Sequence, residues 1–135
     1  MPALCGQCLC GNIRLNTDTD IRLMENCHCK DCRAATGAAF GTLLFVAEDA
    51  AEVRGDVQVH HHTADSGASM EKHFCPQSGA QLFGRNSNRA GVLSVRGGVA
   101  NETELVEPAV NVYLNSKIPS TPINPDLKGF DTMPG

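Results

Sequence analysis

Six of the seven cysteines fall in three short groups: Cys8 and Cys10 in "CLC", Cys27, Cys29 and Cys32 in "CHCKDC", and Cys75 in "CPQSG". Residues two apart in an extended strand face the same way, so each C-x-C pair can present both sulfurs to one ion if the backbone bends slightly, as Gly11 allows. In "CHCKDC" a further x-x-C step turns back at the start of a short helix, near an N-terminus that favours negative charge. Three ligands then come from one hexapeptide. Zinc takes four protein ligands in a structural site, whereas three leave a position for water or substrate, which is the reactive arrangement. "CLC" joined to a C-P-x-C knuckle would instead close a four-thiolate staple between distant segments. In "CPQSG", however, Ser78 stands where the second cysteine of such a knuckle would be.

The chain is 135 residues long, which predicts one domain, 1–135, burying roughly two-thirds of its unfolded surface. Hydrophobic content of 41% and charged content of 19% suit a globular protein, and with no Trp, one Tyr and five Phe its core must rest on Val, Leu, Ile and Ala. A net charge of -4, without runs of either sign, gives nothing to attract a phosphate backbone or an anionic membrane, so nucleic acid and membrane partners are not expected. "MPALCGQCLCGNIRL" has neither a basic start nor an apolar stretch long enough for a secretory signal or an anchor, and the expected location is the cytoplasm. Thiols stay reduced there. An odd number of cysteines in tight motifs therefore reads as metal ligands and not as a disulfide framework.

The elements that must position these thiols are mostly strands. "CLCGNIRL", "IRLMENC", "AAFGTLLFVA", "VQVHHH", "MEKHFC", "AQLFG", "GVLSVRG" and "VNVYL" are the candidates, with alternation clearest at Val110, Val112 and Leu114. The one expected helix is "DCRAATG", about two turns, with Asp31 as N-cap and Gly37 as terminator. From about residue 115 the tail, with Pro119, Pro122, Pro125 and Pro134, should run as extended coil over the surface. The fold class is mainly β in a single domain.

The order "GQCLCGNI", "CHCKDCRAATGAAF", "KHFCPQSGAQLF", "VNVYLNSK" and "LKGF" resembles the glutathione-dependent formaldehyde-activating enzyme family, which includes centromere protein V. The match runs from about residue 5 to about 130 and is specific as a set, although C-x-C alone is weak. The resemblance implies tent-like β-sheets stapled by a structural zinc, with a second zinc at the reaction centre. Carried over by position, Cys27, Cys29 and Cys32 correspond to the catalytic zinc ligands. Cys8, Cys10 and Cys75 correspond to three of the four structural ones.

Ser78 corresponds to the fourth. Its hydroxyl stays protonated near neutral pH and is a far poorer zinc ligand than a thiolate. Three outcomes are open: Cys5 swings in, a water completes a weakened site, or the site stays empty. A weakened or missing structural zinc is the preferred expectation, with Cys5 as rescuer second. Blander readings apply elsewhere. Of His60, His61 and His62 at most His60 and His62 share a face, and a solvated strand accounts for them. His28 should point away from its neighbouring thiols, and His73 reads as a packed or surface residue. Arg33, Lys72 and Lys117 could steer an anionic substrate but are assigned no role.

Two functional expectations follow. The first is a zinc-dependent carbon–sulfur lyase or synthase that joins a thiol such as glutathione to a small aldehyde such as formaldehyde, or reverses that addition, with Cys27, Cys29 and Cys32 at its centre. The second is a non-catalytic zinc module that docks to a partner protein, since related tent-like folds occur in accessory factors of vesicle-traffic GTPases. The coordination position separates them: an open one beside a cleft favours the enzyme, and a side chain closing it favours the module.

Overall fold

The structure, a computed structural model, describes residues 4–18 and 20–133. Its strands are β1 (Leu4–Gln7), β2 (Arg14–Thr17), β3 (Leu23–Cys27), β4 (Gly41–Ala47), β5 (Ala51–Arg54), β6 (Gln58–Thr63), β7 (Ser69–Phe74), β8 (Gln81–Asn86), β9 (Val92–Arg96), β10 (Val110–Val112) and β11 (Lys128–Gly129). Helix α1 (Lys30–Thr36) lies between β3 and β4. β1, β2 and β5 form a small antiparallel sheet, and the order β11-β10-β3-β4-β9-β8-β7-β6 makes a large one. β10 runs parallel to both β3 and β11. The fold is mainly β with one short helix, as the sequence indicates. Among the described residues no helix is long and apolar enough to cross a membrane.

One apolar cluster joins the sheets, with Leu4 and Leu15 from the small one and Leu44, Val46, Leu82, Leu93 and Val95 from the large one all buried. These side chains are aliphatic, as the scarcity of aromatics requires. Cys8 and Cys75 belong to the same cluster. A second cluster gathers Cys27, Cys32 and Val112, with Val110, Tyr113 and Phe130 packed against it.

Several expected elements shift. "CLC" is not strand: Cys8 and Cys10 lie in the turn between β1 and β2, where Gly11 takes a positive φ of 80°. The pairing strand is instead Leu4–Gln7, just upstream. β5 went unforeseen because "AEVR" is short and charged, and only its pairing with β2 makes it a strand. β4 begins at Gly41 and not at Ala38, since Gly37 first ends α1 in the left-handed region at φ 71°. Tyr113, at φ 57°, turns the chain out of β10 before Leu114 can continue the alternation. The tail is largely irregular, with Lys117 Nζ donating to the carbonyls of Ile118, Pro119 and Thr121. It nonetheless returns to the sheet, where Lys128 and Gly129 pair with Val110 and Asn111.

β1 is docked by backbone as well as by apolar packing. Gly6 bridges to Ala100, and Cys5 donates its N–H to Glu102 Oε1 at 2.7 Å and accepts from the Asn101 N–H at 2.8 Å. A Cβ on Gly6 would stand 2.8 Å from the Val99 carbonyl oxygen, a backbone atom that cannot swing aside. Gly6→Ala should therefore lower stability by about 1–3 kcal/mol, read from the urea midpoint, as overpacking costs elsewhere. An unchanged midpoint would mean that β1 does not approach residues 97–99 this closely.

Candidate metal centres and the cavity between them

Cys27 is the last residue of β3, and its position is fixed on both sides: it pairs with Gly41 of β4 and with Val112 of β10. The next residue, His28, donates its N–H to the Val112 carbonyl at 3.0 Å. Cys29 then caps α1. Its extended backbone (φ −65°, ψ 156°) and its sulfur, which accepts the Cys32 N–H at 3.3 Å, make it the N-cap expected at Asp31; Asp31 sits instead within the first turn. A sulfur can replace the usual oxygen in this role because it too accepts a backbone N–H. The capping bond draws Cys29 and Cys32 together, and β3 delivers Cys27 to the same point.

The sulfurs of Cys27, Cys29 and Cys32 lie within 4.8 Å of one another, and so do those of Cys8, Cys10 and Cys75. Each trio could hold a metal ion. Thiols suit zinc and other borderline or soft cations and do not suit hard ones such as magnesium. Among the described residues no fourth His, Cys, Asp or Glu joins either trio. Cys5 is in neither, being held in the middle of β1 opposite Asn16. The rescue by Cys5 is thus not what the fold arranges.

The second trio is built from two knuckles. Cys8 Sγ accepts the Ile13 N–H at 3.2 Å, while Cys75 Sγ accepts the Ser78 N–H at 3.4 Å. Gly79, at φ 76°, closes the second turn by donating to the Cys75 carbonyl. Cys10, the exposed member, lies 3.6 Å from both Cys8 and Cys75 sulfurs. Ser78 Oγ is buried beside Cys75, and its hydrogen bond to that thiol, helped by the knuckle's backbone N–H groups, holds the thiol down to about 6. The knuckle turn is formed with a hydroxyl at position 78.

In the first trio the charge is shared unequally. Hydrogen bonds from Cys27 and Cys29, then the Arg96 guanidinium, hold Cys32 down to about 3, while hydrogen bonding to Cys29 and Cys32 pushes Cys27 well above the usual thiol range. Arg96 Nη1 donates to Cys32 Sγ at 3.9 Å. Its place is cleared by Gly41, where a Cβ would stand 2.6 Å from that nitrogen. Sequence reasoning passes over Arg96, which ends an ordinary strand pattern 64 residues from Cys32. Only the β4–β9 pairing of Leu43 with Arg96 brings it there.

A cavity of about 380 Å³ opens between the two trios, lined by residues 35–36, 40–42, 79–81 and 96–99. It touches the first trio through Gly41 and Arg96, and the Cys75 knuckle through Gly79 and Ala80. Gln81 Nε2 spans it, donating to the Ala35 carbonyl at 2.8 Å.

The model of the family described as glutathione-dependent formaldehyde-activating enzyme matches residues 3–116. The chain belongs to this family. Of solved structures, a Rhodobacter sphaeroides protein from a structural-genomics programme is similar at a TM-score of 0.58 and 18% identity, over 77% of this chain and 96% of that one. At that identity the likeness is one of fold. No curated protein matches. Within the formaldehyde-activating family match lie both trios and Ser78.

The other residues weighed in the sequence fall outside the trios. His60 and His62 share a face of the exposed edge strand β6, with rings stacked 6.0 Å apart. His73 is packed on Phe83 and bonded to Glu71 at 2.8 Å. His28 is buried with its ring 4.9 Å from Phe40, and its nitrogens do not join the thiols.

Restoring the missing donor is a direct test of the knuckle geometry. Ser78→Cys should raise the melting temperature of the zinc-treated protein by several degrees and its zinc content by up to one equivalent, because metal binding to assembled ligands favours the native state. The gain should vanish in a chelator. Equal melting with and without zinc would show that residue 78 does not face a metal site.

Proposed function

We propose that the chain is a zinc-dependent carbon–sulfur lyase or synthase, acting in the thiol-reducing cytoplasm, that adds a thiol such as glutathione to a small aldehyde such as formaldehyde or reverses the addition. The observation that carries the reading is the trio of Cys27, Cys29 and Cys32: three donors, no fourth among the described residues, and a cavity beside them. Family membership supports it independently. The non-catalytic module would need a side chain closing that trio, and Cys5, its best candidate, lies in the middle of β1.

The chemistry needs a sulfur nucleophile and an electrophilic carbon held together. A free thiol, with a pKa near ~8.5, is only a few per cent ionised at neutral pH. Zinc held by Cys27, Cys29 and Cys32 supplies, when bound, the acidity that keeps a thiol ionised and a Lewis acid for a carbonyl oxygen. In the addition the C–S bond forms as the C=O π bond opens, and the thiol proton ends on the new hydroxyl oxygen, so one S-hydroxyalkyl product contains all the atoms of thiol and aldehyde. The chain's own residues bind and orient the reactants. Arg96 stands at the lip of the trio, and the Phe40 ring adds an apolar wall to the cavity. Cys8, Cys10 and Cys75 form the weakened structural site.

Cobalt(II) in place of zinc makes this testable, since its absorption bands respond to each sulfur donor. Millimolar glutathione should change the spectrum of the wild-type protein and of a folded Cys8→Ala variant, and should leave that of Cys29→Ala unchanged. A wild-type spectrum indifferent to glutathione and to smaller thiols would sink the thiol-adding reading.

A further inference from the structure

The trio of Cys8, Cys10 and Cys75 is built unevenly. Cys8 and Cys75 are 1% and 0% exposed, whereas Cys10 is open to solvent. Cys10 Sγ stands 3.6 Å from each of the other two sulfurs. The two enclosed sulfurs are each anchored by a backbone N–H, from Ile13 at 3.2 Å and from Ser78 at 3.4 Å. Cys10 is thus the member of the trio that a small reagent reaches from solvent, with buried thiols directly behind it.

In a four-thiolate zinc site every sulfur is committed to the ion. Here the fourth place belongs to Ser78, and among the described residues no other His, Cys, Asp or Glu joins the trio. Such a donor set fits a closed structural zinc poorly. It fits a thiol–disulfide couple well, since a disulfide bond is about 2 Å long and Cys10, exposed in its turn, is the side chain that can rotate to close the gap.

Geometry also selects the pair. Cys8 and Cys10 flank one residue in a tight turn, where the Gly11 N–H is bonded to the Cys8 carbonyl at 3.1 Å, so a bond between them would close a small, strained ring. Cys10 and Cys75 are 65 residues apart and lie on separate turns, β1–β2 and β7–β8. A bond between those two would tie the small sheet to the large one.

We propose that Cys10 and Cys75 form a reversible disulfide, a redox modification site that takes over the staple left incomplete by Ser78. The oxidant is a hydroperoxide small enough to meet Cys10 at the surface. The Cys10 sulfur attacks the peroxide, the O–O bond breaks, and a sulfenic acid forms as hydroxide leaves. Cys75 then attacks the Cys10 sulfur, the S–O bond breaks, the S–S bond forms, and the oxygen leaves as water. Two thiols and one hydrogen peroxide give one disulfide and two waters; the sulfurs lose two electrons and the peroxide oxygens gain them. Excess small-molecule thiol reverses the bond by exchange at the exposed sulfur, which suits a compartment where disulfides are transient and redox-sensing. The step is independent of the reaction proposed at Cys27, Cys29 and Cys32.

Limited treatment of the purified protein with hydrogen peroxide, followed by alkylation, non-reducing digestion and mass spectrometry, tests the proposal. A peptide pair linked through Cys10 and Cys75 should appear before Cys27, Cys29 or Cys32 is oxidised, and should be lost on adding reduced glutathione. The oxidised protein should melt several degrees above the reduced protein in chelator, because a link across 65 residues constrains the unfolded chain. Zinc-loaded Ser78→Cys, whose four thiolates hold the ion, should lose most of the cross-link, whereas Ser78→Ala should keep it. A Cys8–Cys10 link in the wild type, or a Cys10 sulfinic acid beside a reduced Cys75, overturns the proposal without any variant having to fold. Equal cross-linking in wild type and zinc-loaded Ser78→Cys overturns the part given to the serine, and an unchanged melting temperature overturns the staple.

Discussion

Three sulfurs within 4.8 Å of one another cannot all be ionised without a cation among them, and the chain imposes this arrangement twice. Like charges at that separation repel strongly in a buried site. In the first trio the protein's own response is to concentrate the anion on Cys32, beside the Arg96 guanidinium, and to keep the proton on Cys27. The rest of the structure can be understood as the scaffold that makes this crowding unavoidable. β3 is clamped between β4 and β10, so Cys27 cannot retreat, and α1 is tied to Cys29 by its own capping bond, so Cys32 cannot either. A divalent cation would relieve the repulsion that the fold creates.

The second trio meets the same constraint by different means. Its sulfurs come from two turns that each donate a backbone N–H to a cysteine, and those N–H groups stabilise negative charge whether or not a metal is present. Such turns depend on Gly11 and Gly79, whose positive φ values an L side chain would adopt only with strain. Knuckle geometry is therefore encoded in the backbone, independently of the donor at position 78. That explains how a serine can occupy the position without collapsing the turn.

Much of this was legible in the sequence, and the failures have physical causes. Cysteine spacing grouped Cys27, Cys29 and Cys32 and paired Cys8 with Cys10, because zinc-type sites recruit ligands from short, stereotyped peptides, while the family resemblance assigned Cys75 to that pair. The expected strand runs located β3, β4, β7, β8 and β9. They missed β1 and β5, short strands that exist only through their pairing with β2. Asp31 was favoured as N-cap on propensity, but the trio's geometry recruits Cys29 instead, so tertiary context overrode the local preference. Arg96 and Gly41 carried no signal at all. Their meeting is a product of sheet register, and register across a strand pair is not written in either segment alone.

The two trios also differ in what the fold asks of them. Cys8 and Cys75 sit inside the large apolar cluster, alongside Leu4, Leu15 and Leu82, and the small sheet is further held by the Gly6–Ala100 bridge and the bond from Cys5 to Glu102. A metal there would add to an interface that aliphatic packing already secures, so a weaker ligand would cost stability without deciding whether the sheets assemble. The trio of Cys27, Cys29 and Cys32 rests on a smaller cluster, with Val112 its only other fully enclosed member, and lies at the rim of the cavity. Loss of a thiol from that set would remove a donor from the proposed chemistry as well as from the packing. The serine accordingly stands at the one trio where the loss of a ligand leaves both the fold and the proposed reaction centre in place.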